Sequence, residues 1–295
     1  MKEAGIGRRE FCVSVATVGG ALALHLPGRL LAAPAGKSRV VLVRNVDVLD
    51  AYGKPKEAVL EQMMAQALTA LTGQRTAREA WQSLLGPGDV VGIKSNEWKY
   101  IPTTTQLEHV LKRGVQSAGV PEASIGIDDR GVLKHPIFQR ATALVNARPM
   151  RAHHWSGVGS LIKNYIMFVP DPPSYHGDSC ADLGKLWHLP IVKGKTRLNV
   201  LSMLTPQFHG VGPHSFNPKY VWRYHGLLVG VDPVAVDSVG LRIILARRRA
   251  HFGDDRPLPV PAHHIQYADT RWHLGTADPA KIELVKLGYA KDLLL

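Results

Sequence analysis

Residues 226–249 read GLLVGVDPVAVDSVGLRIILARRR, and their order decides the fold class. The apolar run GLLVGV suits a buried strand. Asp232 then stands as a helix cap, and Pro233 takes the first helical position, where its missing N–H leaves no bond unmade. The helix runs on to Arg247, Arg248 and Arg249, cations that favour a helix C-terminus over any nucleic-acid patch. A strand leading directly into a capped helix is the repeating unit of an α/β fold.

The same unit recurs along the chain. Residues 39–46, RVVLVRNV, read as a strand. Pro55 opens a helix with Val59, Leu60, Met63, Met64, Ala67, Leu68 and Leu71 on one apolar face, ended by Gly73. TAREAWQSLL is a second helix, stopped by Gly86-Pro87-Gly88. Strand 89–96 turns polar at Lys94, Ser95 and Asn96, and strand 124–129 at Asp128, Asp129 and Arg130. A helix over about 103–118 lies between them. Strands over 143–149, 198–205 and 226–231, a helix in PAHHIQYADT and a closing strand KIELVKLG complete the pattern. Residues 171–195 are irregular, and a loop of that length in a compact enzyme is functional or a lid. The expectation is an α/β fold, a mostly parallel sheet with helices on both faces. It forms one α/β domain over residues 36–295, in one lobe or two.

Residues 1–35 read as an address. Arg8 and Arg9 stand in GRREF, an apolar run CVSVATVGGALALHL follows, and Ala33-Pro34-Ala35 is a small-residue cleavage pattern. This resembles a twin-arginine signal peptide. It implies the twin-arginine export machinery as a partner and a periplasmic or extracytoplasmic location; a plain secretory signal and a membrane anchor are the alternatives. No second apolar run is long enough to span a bilayer, so the mature chain is expected to have no transmembrane segment. Cys12 leaves with the signal and only Cys180 remains. An internal disulfide and a cysteine-ligated iron–sulfur cluster are therefore not expected.

The formal net charge of the 295 residues is +12. Such a surface attracts anions. There is no nucleic-acid motif and no interleaving of basic and aromatic residues. The expected partner is an anionic small molecule, with no specific nucleic acid.

The candidate site centres on residues 153–170, HHWSGVGSLIKNYIMFVP. His153 and His154 precede a turn carrying Gly157 and Gly159, which let backbone approach a ligand. Lys163 and Asn164 interrupt an apolar, helix-like run. Parallel α/β sheets bind ligands at the carboxyl edge of their strands. On that rule Lys94, Asn96, Asp128, Asp129, His153, Lys163, Asn164, His209 and Asp237 are expected to line one cleft. His153, Lys163 and Asp237 are the candidate catalytic residues. Lys94, Asn96, Asp128, Asp129, His154, Gly157, Gly159 and Asn164 are the candidate ligand-binding ones. The competing reading pairs Lys163 with Asp237 or Asp128 as a structural bridge. His153, His209 and His214 are the candidate metal ligands, with His176, Asp128 and Asp129 as further partners. Adjacent His153 and His154 point to opposite sides of an extended chain and rarely share one metal. None of the spacings is a recognised zinc motif.

Three segments carry a resemblance: LVNARPMRAHHWSGVGSLIKN, LLVGVDPVAVDSVG and HHIQYADTRWHLGTADPAKIELVKLG. Together with VGIKSN they resemble the domain of unknown function 362 family over about residues 39–290. Many of its members carry ferredoxin-type cysteine motifs, which this chain lacks, and the family implies no settled activity. The ten-residue separation of His153 and Lys163 is also similar to nickel-pincer lactate racemases, in which the lysine carries a nickel-bearing cofactor. A metal or a nickel-pincer-type cofactor is what that likeness implies. Two functions follow as expectations: an exported enzyme with a His-, Lys- and Asp-lined cleft for an anionic ligand, metal or prebound cofactor, or a periplasmic protein that binds an anionic small molecule without catalysis.

Overall fold

The computed structural model describes residues 36–210 and 216–295. The expected signal peptide and His214 lie outside the described residues. The elements in chain order are β1 (Ser38–Arg44), α1 (Glu57–Thr72), α2 (Ala77–Leu84), β2 (Val91–Lys94), α3 (Thr105–Ser117), β3 (Ile125–Asp128), α4 (Pro136–Gln139) and β4 (Ala143–His153). Then come β5 (Gly157–Gly159), α5 (Leu161–Asn164), β6 (Thr196–Gln207), β7 (Gly226–Gly230), α6 (Pro233–Phe252), α7 (His263–Thr270) and β8 (Ile282–Gly288).

The eight strands of the described residues form one sheet, in the order β3-β2-β4-β6-β7-β1-β8, with β5 paired to β4. The fold is α/β, and β3, β2, β4, β6, β1 and β8 share one direction. Strand β7 is antiparallel to both of its neighbours, β6 and β1. Its carboxyl end therefore lies on the opposite edge from the others, which corrects the expectation that all strand ends share one edge.

Helices cover both faces because the strands are apolar on both faces. Val41 and Val43 of β1 pack with Leu60 and Met64 of α1, Trp81 of α2 and Leu111 of α3. Val40 and Leu42, the alternate residues, pack with Val236, Val239 and Ile243 of α6 and Ile265 of α7. Side chains of a strand alternate in direction, so one short apolar run feeds two cores. Caps fix the helix ends. Thr76 and Glu79 form a reciprocal capping box on α2. Asp232 Oδ1 accepts N–H bonds from Val234 and Ala235 at the start of α6.

Two elements depart from expectation. Strand β4 continues beyond 149 to His153, although Pro149 lacks an N–H to donate. Strand β2 has already ended, at Lys94 opposite Asn146, so no ladder acceptor is left waiting on that side. The helix expected after Gly159 is a single α turn, α5, followed by a 3-10 turn over Tyr165–Phe168. No side chain of its own caps α5; a carboxylate from α6 does so instead. Residues 171–195 hold 3-10 turns over Pro172–His176 and Asp178–His188.

Candidate functional site

Strand β4 outruns β2, leaving residues 147–150 without a strand partner on that side, and β5 takes over at Arg151. A cleft of about 200 Å³ opens there. Its lining includes Asn96, Asp129, Arg148, Arg151, His153 and Lys163. Asn164, Trp98 and His176 also line it, as does the exposed Arg130. A larger hollow of about 560 Å³ lies between α6 and α7, but its wall is mostly apolar and brings no buried cations together.

Charge is the defining property of the cleft. Lys94 is fully buried and ion-paired with Asp129, and it also donates to Ser95 O at 2.7 Å. Burial lowers the Lys94 pKa to about 8. Burial pushes Asp129 the other way, but Lys94 and the Glu97 N–H outweigh it and hold its pKa below the usual carboxylate value. The pair is thus ionised and self-neutralised near neutral pH.

Three further cations have no such partner. Arg148, Arg151 and Lys163 are buried, and none forms an ion pair among the described residues. Arg148 Nε, Arg151 Nε and Arg151 Nη1 are buried without hydrogen-bond partners there. The Arg151 guanidinium stacks over Trp98, 3.9 Å from the ring centre. Lys163 Nζ meets only Cys180 Sγ, at 3.7 Å. Burial lowers the pKa of Lys163 to about 8 and of Arg148 to about 10, and lowers Arg151 as well; the nearby carboxylates of Asp129 and Asp237 act against it at Arg148 without pairing with it. A buried cation without a counter-ion is costly, and an anion supplied from outside removes that cost.

His153 adds a neutral donor. Its Nδ1 accepts the Trp155 N–H at 3.2 Å, so in the neutral ring the proton sits on Nε2. Burial, then Lys163 and the arginines, push its pKa far below the ordinary value, so the ring stays neutral. His176, lowered to about 4 by burial and then by Lys163, is also neutral.

Backbone and side chains position this set. Asn164 Nδ2 donates to Lys94 O, Asn146 Oδ1 and Ala147 O, tying α5 to the ends of β2 and β4. Asp237 accepts from Leu161 N and Ile162 N, both at 2.9 Å, and from Ser160 Oγ at 2.7 Å. It therefore caps the turn that presents Lys163. Gly157 has φ +71° and sits against the backbone of Val260 and Ala262. A side chain at Gly159 would meet Arg148 Nη2 at 2.8 Å, so that glycine makes room for the guanidinium. Outside the lining, Asp178, Ser179 and Cys180 all adopt positive φ, a run that L-residues rarely sustain. This kink brings the Cys180 thiol to Lys163, and burial raises the thiol pKa, keeping it protonated.

The structure gathers Asn96, Asp129, His153, Lys163 and Asn164 in the cleft lining; Lys94 does not line it but is buried and ion-paired to Asp129, and the other expected residues lie outside. Asp128 turns away and accepts the Gly131 N–H at 2.8 Å. His154 stacks on His153, with ring centres 5.1 Å apart, and lies tilted against Trp155, so the two adjacent histidines do not point to opposite sides as expected; His154 does not line the cleft. Gly157 and Gly159 serve packing, as described. Asp237 is a positioning residue at the base of α5, and Lys163 bridges neither to it nor to Asp128. His209 meets Arg248, Tyr220 and Phe252, away from the cleft. The expected metal set of His153, His209 and His214 is thus not assembled by the described residues, which hold no group of three or more His, Cys, Asp or Glu suited to a metal ion. The donor set does not fit a bare divalent cation, since three unpaired cations surround it and its one lining carboxylate, Asp129, is engaged by Lys94.

The sequence reading missed Arg148, Arg151 and Trp98 as site residues. Two arginines inside the largely apolar run ALVNARPM and its extension were the available signal. Compared with family models, curated proteins and solved structures, the chain matches none.

Proposed function

We propose that this chain binds a small anion, a carboxylate or a phosphate, in the cleft between the ends of β2 and β4 and acts on it as an enzyme. One observation carries the reading: Arg148, Arg151 and Lys163 are buried together without carboxylate partners. Guanidinium groups match carboxylate and phosphate oxygens in pairs. His153 Nε2–H adds a fourth donor, while Asn96 Oδ1 and Asn164 Oδ1, buried without donors of their own, accept from a ligand hydroxyl. The volume limits the ligand to a few carbons, being below the size range of drug-like pockets. An anionic prebound cofactor falls within the same reading.

The enzymatic reading is supported by Lys163, which lines the cleft with its amine against only the Cys180 thiol at 3.7 Å, and whose pKa burial lowers to about 8, a value suited to proton transfer near neutral pH. A protein that only captured the anion would be served by the arginines alone. The wider reading places the chain in the domain of unknown function 362 family and outside the cytoplasm, supported by the sequence strings and by Arg8-Arg9 before an apolar run.

Calorimetric titration with phosphate, propionate and pyruvate tests the binding. Millimolar or tighter affinity, lost in Arg148→Ala and Arg151→Ala, is expected; no binding by the folded protein refutes the reading. Retention of the precursor in the cytosol on Arg8→Lys with Arg9→Lys tests export.

A further inference from the structure

We propose that Lys163 Nζ condenses with the carbonyl of a small aldehyde or ketone that also bears a carboxylate or phosphate, forming an imine within the cleft. This deepens the anion reading and rests on it.

Two buried lysines flank the cleft, and they differ in what their amines face. Lys94 Nζ is committed to Asp129 and to Ser95 O, and loss of its proton would leave a buried carboxylate unpaired. Lys163 Nζ has no carboxylate and no carbonyl oxygen, only the Cys180 thiol at 3.7 Å. Its neutral amine breaks no ion pair. Burial and the charges of Arg148 and Arg151 disfavour the ammonium form. Near neutral pH a useful fraction of Lys163 therefore carries a free lone pair, which is what a lysine nucleophile requires.

The surroundings complete the requirement. Arg148 and Arg151 offer a fixed counter-charge to the ligand's acid group and leave its other end to Lys163. The turn that carries Lys163 is held by the three hydrogen bonds to Asp237, so the amine is presented by rigid backbone. Cys180 stays a thiol and does not compete as a nucleophile.

The step balances as follows. The amine lone pair forms the N–C bond, and the carbonyl π pair moves to oxygen. That oxygen takes the proton released by nitrogen, giving a carbinolamine. The C–O bond then breaks, and the departing oxygen takes one proton from solvent and leaves as water. The nitrogen lone pair closes the C=N bond, leaving a protonated imine whose positive charge replaces that of the lysine. No oxidant or reductant is needed.

The test treats the purified chain with pyruvate, or with dihydroxyacetone phosphate, in the presence of cyanoborohydride, followed by intact mass and peptide mapping. One reduced adduct at Lys163 is expected. Acetone, which has the carbonyl but no acid group, should label Lys163 at least about tenfold less, the loss of one charge-assisted contact. Lys163→Arg should abolish the adduct. Calorimetry with propionate and phosphate runs in parallel, because these anions lack a reactive carbonyl. Propionate binding with no adduct at Lys163 overturns the imine and leaves the anion reading standing. Failure of both binding and labelling overturns the two together. Labelling of exposed lysines as readily as Lys163, or equal labelling by acetone, also overturns the proposal.

Discussion

Asp237, one turn into α6, caps α5 by accepting the Leu161 N–H at 2.9 Å. The two residues lie 76 positions apart, and a third element, the turn at Ser160, shares the same carboxylate. Burial raises the Asp237 pKa to about 6, while these donors act in the opposite direction. The carboxylate thus works as the cap that α5 lacks in its own sequence.

Asp237→Ala leaves two buried backbone donors, Leu161 N and Ile162 N, without an acceptor, while Ser160 Oγ keeps His264 Nε2 at 3.2 Å. A loss of about 2 kcal/mol or more is expected. Denaturant unfolding measures it; a loss below about 1 kcal/mol, the worth of a single ordinary hydrogen bond, contradicts the capping role.

The same carboxyl group gives a pH signature. Its folded pKa, about 6, lies above the ordinary value of 3.8. Between these values the folded chain holds a proton that the unfolded chain has released. The contribution of Asp237 to stability therefore falls as pH rises from about 4 to about 6. Unfolding titrations across that window should show a shallower fall in Asp237→Asn than in the native chain.

Lys163 and Asp129 predict opposite stability effects. Asp129→Ala strands buried Lys94 and should cost about 3–5 kcal/mol, as for a broken buried pair. Lys163→Ala removes a cation with no counter-ion and should cost far less, or raise the melting temperature. Thermal melts decide; a larger loss for Lys163→Ala would mean that Lys163 is a structural partner after all.

Anion affinity should decline as pH rises through about 8, where Lys163 loses its proton. Lys163→Ala should bind more weakly at pH 7, with that pH step gone. Calorimetric titration of phosphate against pH reads both.

Gly157 and Gly194 share φ +71°, but only Gly157 is packed against backbone, while nothing lies within 4 Å of Gly194. Gly194→Ala should cost only the strain of a left-handed residue, about 1–2 kcal/mol. Gly157→Ala must also displace the backbone at Val260 and Ala262, before α7, and should cost clearly more. Equal losses would show that the close approach is unimportant.

The sequence by itself determined the fold class and most elements. Short, Val- and Leu-rich runs such as VVLVR and GLLVG, bounded by polar or turn residues, suit buried strands by length and composition, and Asp232-Pro233 marks a helix start without outside help. Lys94, Asn96, Asp129 and His153 were legible as site residues because each directly follows or ends an apolar strand run. Strand direction was not legible. An apolar run reads the same for either orientation, so the reversal of β7 was fixed only by pairing with β6 and β1. The arginines were hidden for a related reason. Strict alternation puts Arg148 and Arg151 on opposite faces of β4. Both reach the cleft because β2 stops at Lys94 and leaves that edge of β4 open, and because the register with β6 shifts between Pro149 and Arg151. Composition sets which residues can be charged and which can be buried. Only the tertiary structure decided which buried charges would stand without a partner, since a counter-ion is a matter of distance across elements and not of position along the chain.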